Sequence, residues 1–154
     1  GAVAEANSDE EEAAEAEADE AEAELEAAIE VENDLRSEIV TYALQFVGNR
    51  YKYGGTNPNT GVDCSGFTSY VMRHAAEVEL PHSSGGQSRM GRQVSSSEMR
   101  PGDIICYGSG KRINHVALYI GNGQIVHAST ERTGIKVSRW NYRTPVRIVN
   151  VLGD

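Results

Sequence analysis

Residues 11–34 of this 154-residue chain read EEAAEAEADEAEAELEAAIEVEND, and that run sets the first limit on the fold. Its large apolar side chains are Leu25, Ile29 and Val31, with Leu35 just beyond. Alanine and glutamate favour helix, but so few apolar residues form one short seam rather than a sustained heptad. Like charges at i,i+4 spacing, such as Glu11/Glu15 and Glu22/Glu26, oppose each other with no lysine to relieve them. A segment of this kind cannot bury enough surface to make its own core. It is expected to be an acidic linker or extension over 1–36, helical or disordered, or else the end of an upstream coiled coil. A folded domain must then come from 37–154.

Charge divides the chain in the same way. Residues 1–38 hold sixteen acids and one base, Arg36, a net charge of -15. Of the chain's 23 acids and 14 bases, this leaves seven and thirteen for residues 39–154, a net charge of +6. Two cysteines allow at most one disulfide, which excludes a disulfide scaffold. No run of 18 apolar residues is present to form a membrane-spanning helix. The chain begins at Gly1 with no apolar stretch like a signal peptide, so it is expected to be an excised or processed fragment from which any export signal is already gone.

Within the body the hydrophobic period changes partway along. Ile39, Val40, Ala43, Leu44 and Val47 recur at helical spacing, with Ser37 as an expected N-cap and Gly48-Asn49 as the stop. A Gly/Asn/Pro-rich loop follows, and then a second helix with Phe67, Tyr70, Val71, Ala75 and Val78 on its inner face, ending before Pro81. The stretch HSSGGQSRMGRQVSSSE reads as loop. From Asp103 onward DIICYG, NHVALYIG, QIVHAS, GIKVSR and VRIVNVL read as strands, two of them joined by the turn Gly121-Asn122-Gly123. Helices first and antiparallel strands after imply an α+β fold, helices packed on a small curled sheet.

The chemistry centres on GVDCSGFTSY, residues 61–70. Cys64 stands where a loop enters the second helix. The helix dipole favours thiolate there, and the free N–H groups of the first turn can hold an oxyanion. Gly66 leaves room for close approach of a substrate backbone. A base must come from the four histidines. His115 opens one strand of the hairpin, and His127 lies within a residue or two of facing it. That pair suits a base and its orienting partner, His115 taking the thiol proton and His127 fixing the tautomer. Taken alone, each feature also has an ordinary reading, a core cysteine and two unremarked histidines. The Cys64, His115 and His127 spacings match no compact zinc pattern, so neither a metal nor another cofactor is expected. His74 reads as a helix-surface residue, His82 as a loop residue and Cys106 as a buried filler.

In order along the chain, YKYGG, DCSGF, LPHSS with a following Gln, MRPGDIICY and NHVALYIGNGQIVHAS resemble the NlpC-type family of bacterial cell-wall cysteine peptidases, which have a reduced papain-like fold. The resemblance covers about residues 37–151. It implies Cys64 as nucleophile, His115 as general base and His127 as the third polar residue. It further implies that Tyr53, with Tyr51 as the neighbouring choice, lines the cleft. Asp63 and Ser65 would help hold a substrate amine, and Ser83, Ser84 and Gln87 would border the cleft. The implied reaction is hydrolysis of peptidoglycan stem peptides, commonly between D-γ-glutamate and a diamino acid. The alternatives are a cell-wall amidase and a catalytically inert wall-binding module. Stem peptides and, given the basic body, an anionic wall polymer are the expected partners. A monomer that is secreted or wall-associated is expected, with no nucleic-acid partner.

Overall fold

The computed structural model describes the backbone of residues 2–154 and the side chains of residues 11–154. The chain divides into two units, Gly1–Asp34 and Leu35–Asp154. Helix α1 is Ala2–Leu44, so Ser37 falls inside a helix rather than capping its start. The alanines and glutamates before Ser37 favour helix and nothing among them breaks it. No described helix is long and apolar enough to cross a membrane.

The second unit builds the sheet. After α1 come two short strands, β1 (Thr56–Asn57) and β2 (Gly61–Val62), then α2 (Cys64–Ala76), α3 (Ser84–Ser88) and β3 (Arg92–Gln93). The five strands read from the period-two pattern follow: β4 (Ile104–Ser109), β5 (Arg112–Gly121), β6 (Gln124–Thr130), β7 (Gly134–Arg139) and β8 (Pro145–Asn150). The main sheet is antiparallel, in the order β3-β8-β4-β5-β6-β7. The fold is therefore α+β, as the change of period implied. The short elements β1, β2, β3 and α3 lie in stretches that read as loop, because two to five residues carry no measurable period. The β5–β6 turn places Asn122 at φ 53° and Gly123 at φ 73°. Both are left-handed, the geometry that suits the twist of a two-residue hairpin.

Each face of the sheet has its own apolar cluster. Ile104, Cys106, Val116, Leu118 and Val126 pack with Phe67, Val71 and Met72 of α2 and with Ile39, Ala43 and Phe46. The alternate residues Ile105, Tyr107, Ala117, Tyr119 and Ile125 form the second cluster, covered by Val94, Met99 and Trp140. Alternation assigns His115 and His127 to this second set.

One buried ion cluster closes the globular unit. Arg36, its side chain 3% exposed, donates to Asp103 Oδ1 at 3.0 Å and to the Pro101 carbonyl at 2.9 Å. It also donates through Nε to Asp154 at 3.1 Å and through its terminal nitrogen to the same carboxylate. That pairing, first among the causes, holds the Asp154 carboxyl well below the usual carboxylate range. Breaking such a pair strands buried charge. Arg36→Met is expected to cost about 3–5 kcal/mol in urea unfolding, whereas a loss below about 1 kcal/mol, the worth of an exposed pair, would contradict this account. The exposed Arg73–Glu79 pair supplies the comparison.

Candidate active site

Cys64 is the first residue of α2, and Asp63 is its N-cap. The Asp63 Oδ1 atom accepts from the Gly66 amide at 2.7 Å, which satisfies a first-turn donor. Its Oδ2 atom accepts from the Gly54 amide at 3.1 Å, and the Asp63 amide donates to the Gly55 carbonyl at 3.2 Å. The YGG loop is thereby tied to the start of the helix. Gly66 permits that approach, since a Cβ there would stand 2.2 Å from the Gly55 carbonyl oxygen. The space at Gly66 is thus taken by the chain's own loop rather than left for a substrate backbone.

The thiol is mostly withdrawn from solvent and packs against the first apolar cluster. Burial pushes its pKa up, while the backbone N–H groups of Val116, Ser65 and Cys64 itself pull it back, against the added charge of Asp63. The net direction is upward, so desolvation outweighs the helix terminus and the resting group is a thiol. Val116 is the residue after His115, so β5 brings its backbone and the start of α2 to one place.

The two histidines meet directly. His115 Nε2 and His127 Nδ1 are 2.7 Å apart, and His127 Nε2 lies 2.9 Å from Ser138 Oγ on β7. Both rings are buried. Burial, with the charge of Arg143 added, lowers the His115 pKa to about 4. Burial, His115 and Lys136 lower His127 to about 3. Both rings are therefore neutral at pH 7. A neutral pair joined in this way has two consistent directions. In one, His115 Nε2–H donates to His127 Nδ1, and His127 Nε2–H donates to Ser138 Oγ. Only that direction leaves His115 Nδ1 bare and able to accept a proton. Tyr107 and Tyr142 pack around the pair, with ring centroids 5.9 Å from His115 and 5.3 Å from His127 respectively.

The remaining expected residues fall into different surroundings. Tyr53 is 84% exposed. Tyr51, half-buried, is the tyrosine whose hydroxyl feels the charges of Cys64 and Asp63 after the larger effect of its own burial. Ser65 Oγ lies 3.4 Å from Asp63 Oδ1, and His82 Nε2 lies 2.8 Å from the same oxygen, so the loop histidine joins that carboxylate. Ser83 caps α3 through the Gly86 amide at 3.0 Å, with Ser84 the first residue of that helix. Gln87 is fully buried. Its amide nitrogen, with two N–H donors, lies 2.9 Å from each of the Ser65 and Pro81 carbonyls and Ser69 Oγ, and Thr68 donates to its oxygen. It joins α3 to α2 from the inside. Cys106 is also fully buried, its pKa pushed up to about 12 by burial. His74 stacks on Tyr70 at 3.9 Å, on the side of α2 away from its first turn. Among the described residues no three His, Cys, Asp or Glu side chains gather where one metal ion would reach them.

Three neighbours were not singled out from sequence: Ser138, Tyr142 and Arg143. Ser138 had a usable signal. Ile125 pairs with Ser138, which puts it on the same face as His127. The others lie in the segment between β7 and β8, where no period exists to read.

A model of the NlpC/P60 family matches residues 48–148. The chain is 41% identical over 108 residues to the Escherichia coli (strain K12) protein named murein DD-endopeptidase MepS/murein LD-carboxypeptidase, a match covering 70% of this chain and 56% of that one. It is 42% identical over 98 residues to a probable endopeptidase p60 of Listeria seeligeri, covering 64% of this chain and 18% of that one. It thus spans about half the length of the first relative and a smaller part of the second. Among solved structures, the NlpC/p60 domain of the peptidoglycan hydrolase SagA superposes with a TM-score of 0.69 at 32% identity, over 75% of this chain and 97% of that one. With these motifs on this papain-like fold, the chain belongs to the NlpC/P60 family.

Proposed function

We propose that the chain is a cysteine peptidase that hydrolyses peptide bonds in peptidoglycan stem peptides, with the D-γ-glutamyl–diamino acid amide as its bond. One observation carries this reading: a thiol mostly withdrawn from solvent at a helix start, within electrostatic reach of the amide next to His115, whose Nε2 lies 2.7 Å from His127 Nδ1. In this reading His115 Nδ1 takes the thiol proton as the sulfur attacks the carbonyl carbon, and first-turn N–H groups hold the oxyanion. The proton then passes to the leaving amine. Water, activated by the same nitrogen, hydrolyses the thioester and frees the acid and Cys64. His127 and Ser138 act by holding His115 in the tautomer that can accept. Tyr51 lines the cleft beside the sulfur. For Asp63 to receive a substrate amine, His82 must yield Oδ1, because that oxygen already bonds His82 and the Gly66 amide.

The name of the E. coli relative favours a second reading of the bond, a linkage between D-residues. Mass spectrometry of purified muropeptides after digestion separates the two. Release of fragments ending in D-glutamate supports the first reading, and conversion of crosslinked dimers to intact monomers supports the second. An anionic wall polymer remains the proposed accessory partner. A cavity of about 600 Å3 lined by Arg89, Lys111, Arg112 and Arg147 suits it. Action on the wall implies an extracytoplasmic location.

Two outcomes follow from the roles. Cys64→Ala and His115→Ala are each expected to lower kcat at least about 1,000-fold while far-ultraviolet circular dichroism stays unchanged. His127→Ala should be milder and His127→Gln milder again, since the amide still accepts from His115. A larger loss in His127→Ala than in His115→Ala would reverse the two roles. His74→Ala is expected to retain activity.

The pH dependence follows from the lowered histidine values. A base with a pKa of about 4 is neutral above that value, so kcat/KM should hold as pH falls from 7 to about 5 and drop near 4. A drop centred near the ordinary histidine value, about 6.5, would contradict this. The same shift acts on stability. Unfolded histidines bind protons below about pH 6.5 while the folded pair stays neutral, so the contribution of the pair is complete above that value. It is lost as pH falls towards about 4. Urea midpoints across this window should fall less steeply in a protein carrying His115→Gln and His127→Gln.

A further inference from the structure

Arg143 has a position that the proposed chemistry does not require. Its guanidinium carbon lies 5.7 Å from the centroid of the buried Tyr107 ring, which also packs against His115. One terminal nitrogen donates to Asn114 Oδ1 at 2.9 Å, and the Tyr142 hydroxyl lies near enough for the guanidinium to oppose the upward push of burial on its pKa. Asn114 is the residue before His115. Tyr142 is 44% exposed, packs on His127 and lies within electrostatic reach of Cys64. The guanidinium is therefore fixed from three sides at the open edge of the imidazole pair. Its observed partners are an amide oxygen, a phenol and a ring face, none of them an anion. A guanidinium carries five N–H donors in a rigid plane matched to a carboxylate, and these partners leave donors over.

A cation beside a general base works against the base, and burial with the Arg143 charge lowers His115. An anion brought in by the substrate would remove that opposition when the base is needed. The substrate class proposed above supplies one. A γ-linked glutamyl residue keeps its α-carboxylate free, and a following diaminopimelate, or a diamino residue that ends the stem, carries a free carboxyl group of its own, so the scissile amide of such a stem has one on either side. Resting on that substrate reading, we infer that Arg143, held by Asn114, Tyr142 and the Tyr107 ring, is the binding site for a substrate carboxylate next to the scissile bond. Arg143 acts as a specificity residue, favouring stems with the free acid over stems amidated at that position.

The test uses the full chain and synthetic tripeptides L-Ala-γ-D-Glu-X, with X either lysine or diaminopimelate. Each is made as the free acid, as the glutamyl α-amide, as the X α-amide and as the double amide. The wild-type chain should prefer the free acid over one of the single amides by about 10- to 100-fold in kcat/KM, the range of one charge-assisted hydrogen bond. The disfavoured amide identifies which carboxylate is bound. In Arg143→Gln that preference should shrink to about threefold or less, with Arg143→Lys intermediate because it keeps the charge but loses the fork. An unchanged acid-to-amide ratio in Arg143→Gln would overturn the inference. Binding of the same peptides to Cys64→Ala and to Cys64→Ala with Arg143→Gln, measured by calorimetry, gives a readout without turnover. If the wild-type chain cleaves none of the peptides, the reading of the bond fails, and the binding ratio alone decides for or against Arg143.

Discussion

The carboxylate of Asp63 is the constraint around which the site is assembled. One oxygen caps α2 through the Gly66 amide and meets His82, and the other takes the Gly54 amide. Three separate segments, the YGG loop, the start of α2 and the loop before α3, are therefore referenced to one side chain. The next residue is Cys64, so the nucleophile candidate inherits that fixed origin. Gly66 makes the arrangement possible by omitting the Cβ that would strike the Gly55 carbonyl. Gln87 reinforces it from behind, holding Ser65, Ser69 and Pro81 together within the protein.

Electrostatics at the site are set by burial more than by the helix terminus. A helix start favours a thiolate in isolation, by an amount typically below 1 kcal/mol for an exposed charge. Here the sulfur is mostly removed from water, and desolvation is the larger effect. The imidazoles are shifted the other way by the same cause. In the proposed mechanism a neutral thiol and a neutral, oriented His115 are the resting state, and proton transfer would accompany attack instead of preceding it.

Much of this was legible in the chain. The change from helical to strand period at Asp103 was enough for the α+β fold, and the Asn122-Gly123 turn fixed the hairpin that brings His115 to His127. Cys64 stood out because Asp63 and Gly66 mark a helix entry. The tyrosine choice failed to resolve because Tyr51 and Tyr53 share one side of a strand-like run, and only the bend at Gly54 and Gly55 separates a half-buried residue from an exposed one. The burial of Gln87 was hidden because it lies in a stretch with no period to read, although three of its four partners, Ser65, Thr68 and Ser69, share one face of α2. Arg143 and Tyr142 were hidden for the same reason, since their place depends on how the β7–β8 connection folds back over the imidazoles.

The central claim is the direction of the hydrogen-bond chain from His115 through His127 to Ser138 and the neutrality of both rings. Nitrogen-15 NMR of histidine-labelled protein reads protonation at each ring nitrogen directly. The account predicts that at pH 7 both His115 and His127 are neutral, each carrying its proton on Nε2, and that His115 stays neutral until the pH approaches about 4. A doubly protonated His115 at pH 7, or a His115 proton on Nδ1 in the neutral ring, would contradict it.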